Sequence, residues 1–413
     1  MVRFFIVAII FLVFKNWILP GAISSGDSSF RFPESWEGVS YFPYAWSPLS
    51  GDLGRSFVFT LGLNTYYTGT ALLLTNFFHL PWDIIVRLVW FFPFIIVAFF
   101  SSRYLLKVVL PGLSDLYSSI GALLFLTNTY ILMVVGGGQI GVGLSYGIAP
   151  LVLASFMRIA DYDKLRIADY ALRIRYSIIA GLVFSVQIML DPRIAYVTIA
   201  AAILYLLFNY VLRIANGELQ IKSVIRNKQL NIWGIIYALI IPLGITGLLH
   251  AFWLLPFLFV GSGSIDQLGG VYTTAGAVKF FSFAKLENSL SLLHPNWPEN
   301  LFGKVSFMKA EFLALPILAY ASLLFIGRKT SDLRHQRSII LFFALLGLIG
   351  AFLAKGANDP FGFLYIWLFE HVPGFVMFRD PTKWYLLIAL SYSVLIPFSV
   401  YSIYEWLKHK LED

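Results

Sequence analysis

Tyr385-Leu-Leu-Ile-Ala-Leu-Ser-Tyr-Ser-Val-Leu-Ile-Pro-Phe-Ser-Val-Tyr401 runs without a single charged side chain. A helix needs about 20 apolar residues to cross the hydrocarbon core of a bilayer, and this run is close to that length. Phe4 to Leu19 and Ile84 to Phe100 are of similar length and each holds a single cation, Lys15 and Arg87. Lipid offers no hydrogen bonds to an exposed backbone, so a spanning segment is a helix or part of a closed barrel. The runs are continuous rather than alternating, which selects helices. The whole chain agrees: 59% of its 413 residues are hydrophobic, 13% are charged, and the mean hydropathy is +0.78. A water-soluble domain could not bury so much apolar surface.

Working outward from these runs, the chain divides into about ten spans: 3–20, 84–101, 116–134, 143–158, 177–190, 194–212, 231–250, 310–327, 338–354 and 385–404. Arg3 and the first run also fit a secretory leader, but Lys15, Asn16 and Trp17 occupy the place of a small-residue cleavage site, so the run reads as a retained span. With both termini inside, the inner loops hold 18 of the 30 basic residues and carry +9, while the outer segments carry −1. Short inner loops rich in Lys and Arg support that orientation. The expectation is therefore an all-α integral membrane protein of the cell membrane, multi-pass, with both termini cytoplasmic. The net charge of +8 is explained by these loops and does not indicate nucleic acid. The absence of cysteine excludes disulfides, thiolate metal sites and a cysteine nucleophile.

Residues 1–413 read as one polytopic membrane domain with three large outer segments, 21–83, 251–309 and 355–384. They are rich in Trp, Tyr, Phe and Pro, a composition that argues against disorder. Residues 56–78 read as an interfacial helix on the outer leaflet. The spans themselves hold almost no ionisable groups, which argues against an ion-coupled transporter; Lys15 and Arg87 lie near outer ends, where they can snorkel.

Chemistry is therefore sought in the outer segments. Asp27 follows the first span by about seven residues, at the water–lipid boundary, where a carboxylate can accept a proton or simply cap a turn. Asp52 and Arg55 lie in Ser50-Gly-Asp-Leu-Gly-Arg55, which also reads as a turn. Trp46 and its aromatic neighbours suit either sugar stacking or an interfacial belt. Arg379 and Lys383, directly before the last span, stand at headgroup height, where a guanidinium and an ammonium can bind phosphate. Arg193, in the short outer turn Asp191-Pro192-Arg193, could help hold an anionic group. His294 has no partner at metal-ligand spacing, so no zinc site is expected.

Three places carry a resemblance to GT-C glycosyltransferases, in particular to the membrane half of the actinobacterial branching arabinofuranosyltransferases, and to YfhO-like membrane proteins. They are Gly26-Asp27 with Ala45-Trp46-Ser-Pro48 and Gly51; Leu80-Pro81-Trp82 through Arg87-Leu-Val-Trp90; and Pro373-Gly374 through Phe378-Arg379-Asp380-Pro381-Thr382-Lys383. The resemblance implies a GT-C-like fold and a glycosyltransferase with a polyprenyl-phosphate sugar donor, inverting at the anomeric carbon and acting on a glycan or glycoprotein acceptor at the outer face. It makes Asp27 the general base and Arg379 and Lys383 the ligands of the donor phosphate. Asp52, Arg55, Trp46 and His294 remain as substrate-binding candidates. No cofactor is required by the pattern, although a divalent metal held by Asp27, Asp52 and the donor phosphate stays open. Relatives in the arabinosyltransferase group carry extramembrane domains beyond the spans, where this chain has Asp413. The competing classes are a transporter or flippase of lipid-linked sugars and a non-catalytic envelope-assembly partner.

Overall fold

The computed structural model describes residues 2–21, 23, 46–47, 55–56, 62, 65–161, 170–215, 236–259, 274–293, 310–326 and 333–412. Among these the architecture is helical throughout, apart from one two-residue antiparallel ladder that pairs Trp46 with Ser56 and Ser47 with Arg55. The principal helices are α1 (Val2–Ile18), α2 (Trp82–Val109), α3 (Asp115–Thr127), α4 (Thr129–Gly136), α5 (Ile140–Asp161), α6 (Tyr170–Leu190), α7 (Pro192–Ala215), α8 (Ile236–Leu249), α9 (Ala251–Phe259), α10 (Ala275–Phe281), α11 (Leu286–Leu290), α12 (Ala310–Phe325), α13 (Leu333–Ala354), α14 (Gly362–His371) and α15 (Tyr385–Glu412).

Among the described residues each of the ten expected spans overlaps helix. By length and composition six are long and apolar enough to cross a bilayer: α2, α5, α6, α7, α13 and α15. A seventh is the pair α3 and α4, bent by 47° at Asn128. The break has a local cause. Asn128 leaves the helical region and caps α4 by accepting the Ile131 N–H, while its amide donates to the Phe125 carbonyl and to the Tyr146 hydroxyl. The sequence reading had one straight span here. The remaining three, Phe4–Ile18, Ile236–Leu249 and Ala310–Phe325, are shorter apolar helices.

The packing has the character of a membrane-embedded bundle. α5 and α15 are buried along most of their length and form its centre. α2 packs on α5, α3 and α13 on α15, and α6 between α5 and α8. The outward faces are also apolar: Ile178, Leu182 and Val186 on α6, Leu207 and Val211 on α7, and Ile96 and Phe100 on α2 are all exposed. Contiguous apolar surface on this scale has no place in water.

The two ends of the bundle differ in chemistry. At one end Arg103 pairs with Asp115 at 2.6 Å, Arg158 donates to the Tyr104 hydroxyl and lies over the Tyr176 ring, and Tyr117 meets Tyr401. At the other end Tyr196 bonds Pro373, Thr129 bonds Leu292, and Tyr385 bonds Leu293. α15 and the bent pair each connect one set to the other, while α2 and α5 finish at the first set, α6 begins there and α7 begins at the second.

α1 joins this frame through its C-terminal half. Trp17 packs on Phe91 and Phe14 on Phe94. Arg87 does not snorkel to solvent: it is 6% exposed, and its guanidinium donates to the carbonyls of Leu19, Gly21 and Asp83. A cation at the carbonyl end of α1 satisfies orphan acceptors and opposes the negative end of the helix dipole. In the segment expected to be interfacial, Thr65–Gly69 runs into Thr70–Asn76 as helix, but Tyr67, Ala71 and Leu72 are buried and Tyr66 donates to the Val89 carbonyl. One face of this segment packs on protein.

Candidate functional site

Asp27, Asp52 and His294 lie outside the described residues. Trp46 and Arg55 fall on the facing strands of the short ladder. Arg379 and Lys383 are described, and they stand where three stretches, 274–293, 355–384 and the α6–α7 turn, come together.

The local geometry at Lys383 follows from Asp380-Pro381-Thr382-Lys383. Proline is suited to the first helical position, where no N–H is needed, and aspartate to the cap before it. Asp380 Oδ1 accepts the Thr382 N–H at 3.0 Å, and Lys383 Nζ donates to Asp380 Oδ2 at 2.7 Å. The Lys383 side chain is 4% exposed and also reaches the Thr382 hydroxyl. Burial alone would push the Asp380 carboxyl up; the adjoining Lys383 ammonium and the hydrogen bonds from Lys383 and Thr382 outweigh it and hold the group well below the usual carboxylate range.

The α6–α7 turn repeats the device. Asp191 Oδ1 accepts the N–H groups of Arg193 and Ile194 at 2.9 and 3.1 Å, and Asp191 Oδ2 takes Arg193 Nη2 at 2.7 Å. Asp191 is buried, yet its carboxyl is likewise lowered, because Arg193, the Ile194 N–H and, more weakly, Lys383 outweigh desolvation. α7 packs on the Pro381–Trp384 turn. Four charged side chains thus form two coupled ion pairs at the starts of two adjacent helices. Tyr130 of α4 lies within the field of three of them and stacks on Tyr385 at 5.4 Å.

Arg379 takes a different course from Lys383. Its guanidinium lies 5.5 Å from the centroid of Phe281 on α10. The two residues expected to share a phosphate therefore sit on one short stretch, one cation against an aromatic ring and the other in a carboxylate's grip.

Backbone-directed bonds stitch the surrounding segments. Asn358 donates to the carbonyls of Ser282 and Ala284, both at 2.7 Å, and the Ser282 hydroxyl accepts the Ala357 N–H. Tyr392 reaches the Leu290 carbonyl, and Tyr365 donates to the Phe378 carbonyl at 2.6 Å. Lys355 is fully buried at the end of α13, donating to the Asn358 carbonyl at 2.6 Å over the Phe352 ring. Gly374 adopts φ +78°, and a Cβ there would come within 3.2 Å of the Tyr196 ring, so the turn requires glycine. An open cavity of about 410 Å³ lies against Phe369, Glu370, His371, Val372, Pro373, Gly374 and Val376.

Deeper in the bundle, Gln187 donates to the Ser145 carbonyl and the Thr198 hydroxyl, and Ser145 to the carbonyls of Gln187 and Asp191. These polar groups bind one another across α5, α6 and α7. Among the described residues no group of three or more His, Asp or Glu could hold a metal ion.

Sequence reasoning named Arg193 only as an anion contact and passed over Asp380, Tyr130 and Lys355. The repeated order of Asp, Pro and a cation two or three residues after the Asp, each time at the start of an apolar run, was the signal that could have found the two ion pairs. No protein-family model matches the chain, and no curated protein or solved structure matches it.

Proposed function

We propose that the chain is a membrane glycosyltransferase of GT-C-like architecture with about ten crossings and both termini cytoplasmic, moving a sugar from a polyprenyl-phosphate donor to a glycan or glycoprotein acceptor at the outer face of the cell membrane. The observation that carries the reading is the cluster of two ion pairs, Lys383 with Asp380 and Arg193 with Asp191, at one end of an apolar bundle. An enzyme that cleaves a sugar–phosphate bond must stabilise charge building on the leaving phosphate, and preorganised cations at headgroup depth supply that.

The reaction is a single displacement. Asp27 takes the proton of the acceptor hydroxyl, the hydroxyl oxygen bonds the anomeric carbon from the far side, and the bond from that carbon to the phosphate oxygen breaks. The electron pair leaves with the polyprenyl phosphate, which Arg379 and Lys383 neutralise. Inversion follows from backside attack. Asp52, Arg55, Trp46 and His294 are the substrate-contact candidates, and a divalent ion between Asp27, Asp52 and the donor phosphate is the remaining cofactor option.

The test is sugar transfer from polyprenyl-phosphate donors by purified protein, with Asp27→Asn alongside. General base catalysis is worth about 10²–10⁴-fold, so the variant should lose most turnover while still binding donor. Full retained turnover removes Asp27 as the base. A second reading, a non-catalytic envelope-assembly partner, draws on the internal neutralisation of Lys383 by Asp380; it requires wild-type protein to transfer nothing and Asp27→Asn to support assembly normally. The transporter or flippase reading needs polar groups lining a path, whereas Ser145, Gln187 and Thr198 bond one another.

A further inference from the structure

We infer that Arg193 is a direct ligand of the lipid-linked donor's phosphate and that Asp191 is the residue that positions it, an assignment that rests on the donor reading above. The argument begins with which edge of the guanidinium is used. Asp191 takes Nε, at 3.2 and 3.3 Å, and Nη2, at 2.7 Å, both from one side of the planar fork. No hydrogen bond of Nη1 occurs among the described residues, and 39% of the Arg193 side chain is exposed, against 7% for Asp191. The group is thus clamped by a buried carboxylate along one edge and presents its other edge, Nη1 with the second Nη2 hydrogen, outward. Two parallel N–H donors on a planar fork match two oxygens of a phosphate.

The surroundings favour an anion there. Arg193 occupies the first turn of α7, a helix of 24 residues whose amino end carries partial positive charge. Pro381–Trp384, which leads into α15, packs against α7, so a second helix begins close by. The two carboxylates and two cations of the cluster cancel formally, which leaves the helix ends to set the sign of the field. Lys383 is 4% exposed and committed to Asp380, so it contributes charge from below, while Arg193 is the member of the cluster with an open edge. Asp191 also fixes the α7 backbone through the N–H groups of Arg193 and Ile194, so the fork is tied to the helix at both ends. A free arginine at a membrane surface would sample many rotamers; this one is ordered before a ligand arrives, which lowers the cost of binding.

The test uses the full chain in nanodiscs of uncharged lipid, with a short-chain prenyl phosphate as probe. The prenyl alcohol of equal length, inorganic phosphate and phosphatidylglycerol serve as comparison arms. Removing Arg193 alone strands a buried carboxylate, so the informative variant is the double change Asp191→Asn with Arg193→Gln, checked for wild-type elution and melting. Arg193→Lys keeps the charge but loses the fork. The expected result is at least about tenfold weaker prenyl-phosphate binding in the double variant and an intermediate loss in Arg193→Lys, with prenyl-alcohol binding unchanged. Double-variant binding within about twofold of wild type overturns the inference, and so does equal competition by inorganic phosphate or by phosphatidylglycerol. If wild-type protein binds prenyl phosphate through Arg193 but transfers no sugar, the transferase reading falls and the phosphate site stands. If it transfers sugar and the double variant does so with unchanged KM, the site falls and the transferase stands.

Discussion

Lys383 Nζ lies 2.7 Å from Asp380 Oδ2 in an environment that leaves 4% of the lysine side chain exposed, so neither charge is independent of the other. Breaking a fully buried pair from one side costs about 3–5 kcal/mol; Asp380 keeps 27% of its side chain exposed, so stranding it costs less than that. Lys383→Met should still lower the melting midpoint in detergent more than Asp380→Asn combined with Lys383→Gln. The pH dependence has a definite sign. The folded Asp380 carboxyl is depressed, so the stabilisation is whole above the ordinary carboxylate value of about 4 and is lost as pH falls below it. Melting curves between neutral and acid pH should show wild type losing an acid-dependent increment that the doubly neutral variant lacks.

His250 carries a bonding contribution of its own. Its Nδ1 accepts the Trp253 indole N–H at 2.8 Å, which leaves Nε2 to donate to the Ser185 carbonyl at 2.9 Å, so one ring ties α9 to α6. Leaving buried donors or acceptors without a partner costs about 1–3 kcal/mol. His250→Leu should therefore lower the melting midpoint in detergent, and a midpoint equal to wild type would contradict the assignment.

The helices were legible because lipid leaves the backbone no alternative, so uncharged runs such as Tyr385–Tyr401 signal structure directly. Interruptions were harder to read. Asn128 is one polar residue in an apolar stretch, and only its bond to Tyr146, 18 residues away, turns it into a break. Arg87 looked like a surface anchor because its partners, the carbonyls of Leu19 and Gly21, are 66 to 68 residues distant and carry no side-chain signature. At the candidate site each ion pair is local, Asp191 with Arg193 and Asp380 with Lys383, and is legible in the order of residues. The meeting of the two pairs is not, because α7 and the Pro381–Trp384 turn become neighbours only after folding.

Close approach of helices gives a packing prediction. A Cβ added to Gly121 on α3 would lie 2.2 Å from the Ser393 carbonyl oxygen and 2.7 Å from Leu106 Cδ1, so one helix must shift. Overpacking of this kind costs about 1–3 kcal/mol, and Gly121→Ala should lower the melting midpoint accordingly. Gly112, in the turn between α2 and α3, has nothing within 4 Å of the same added atom, so Gly112→Ala should leave the midpoint nearly unchanged. Similar losses in both variants would mean that α3 and α15 are not in contact at Ser393.

The orientation can be tested cleanly because the chain contains no cysteine, so a single introduced thiol gives a signal without background. Gly112 is exposed at the end of the bundle where Arg103 meets Asp115, and Pro373 is exposed at the end where Tyr196 reaches across to it. If the inner loops are those rich in Lys and Arg, a membrane-impermeant maleimide applied to intact cells should label Pro373→Cys at once and Gly112→Cys only after permeabilisation. Reversed labelling would turn the molecule over and put Arg379 and Lys383 on the cytoplasmic face. Labelling of both from one side would mean that the long helices do not alternate across the bilayer. With reversed labelling the paired cations could no longer serve a donor presented in the outer leaflet, because the general base, the cations and the sugar–phosphate bond must share one interface for a proton and a phosphate to be handled in the same step.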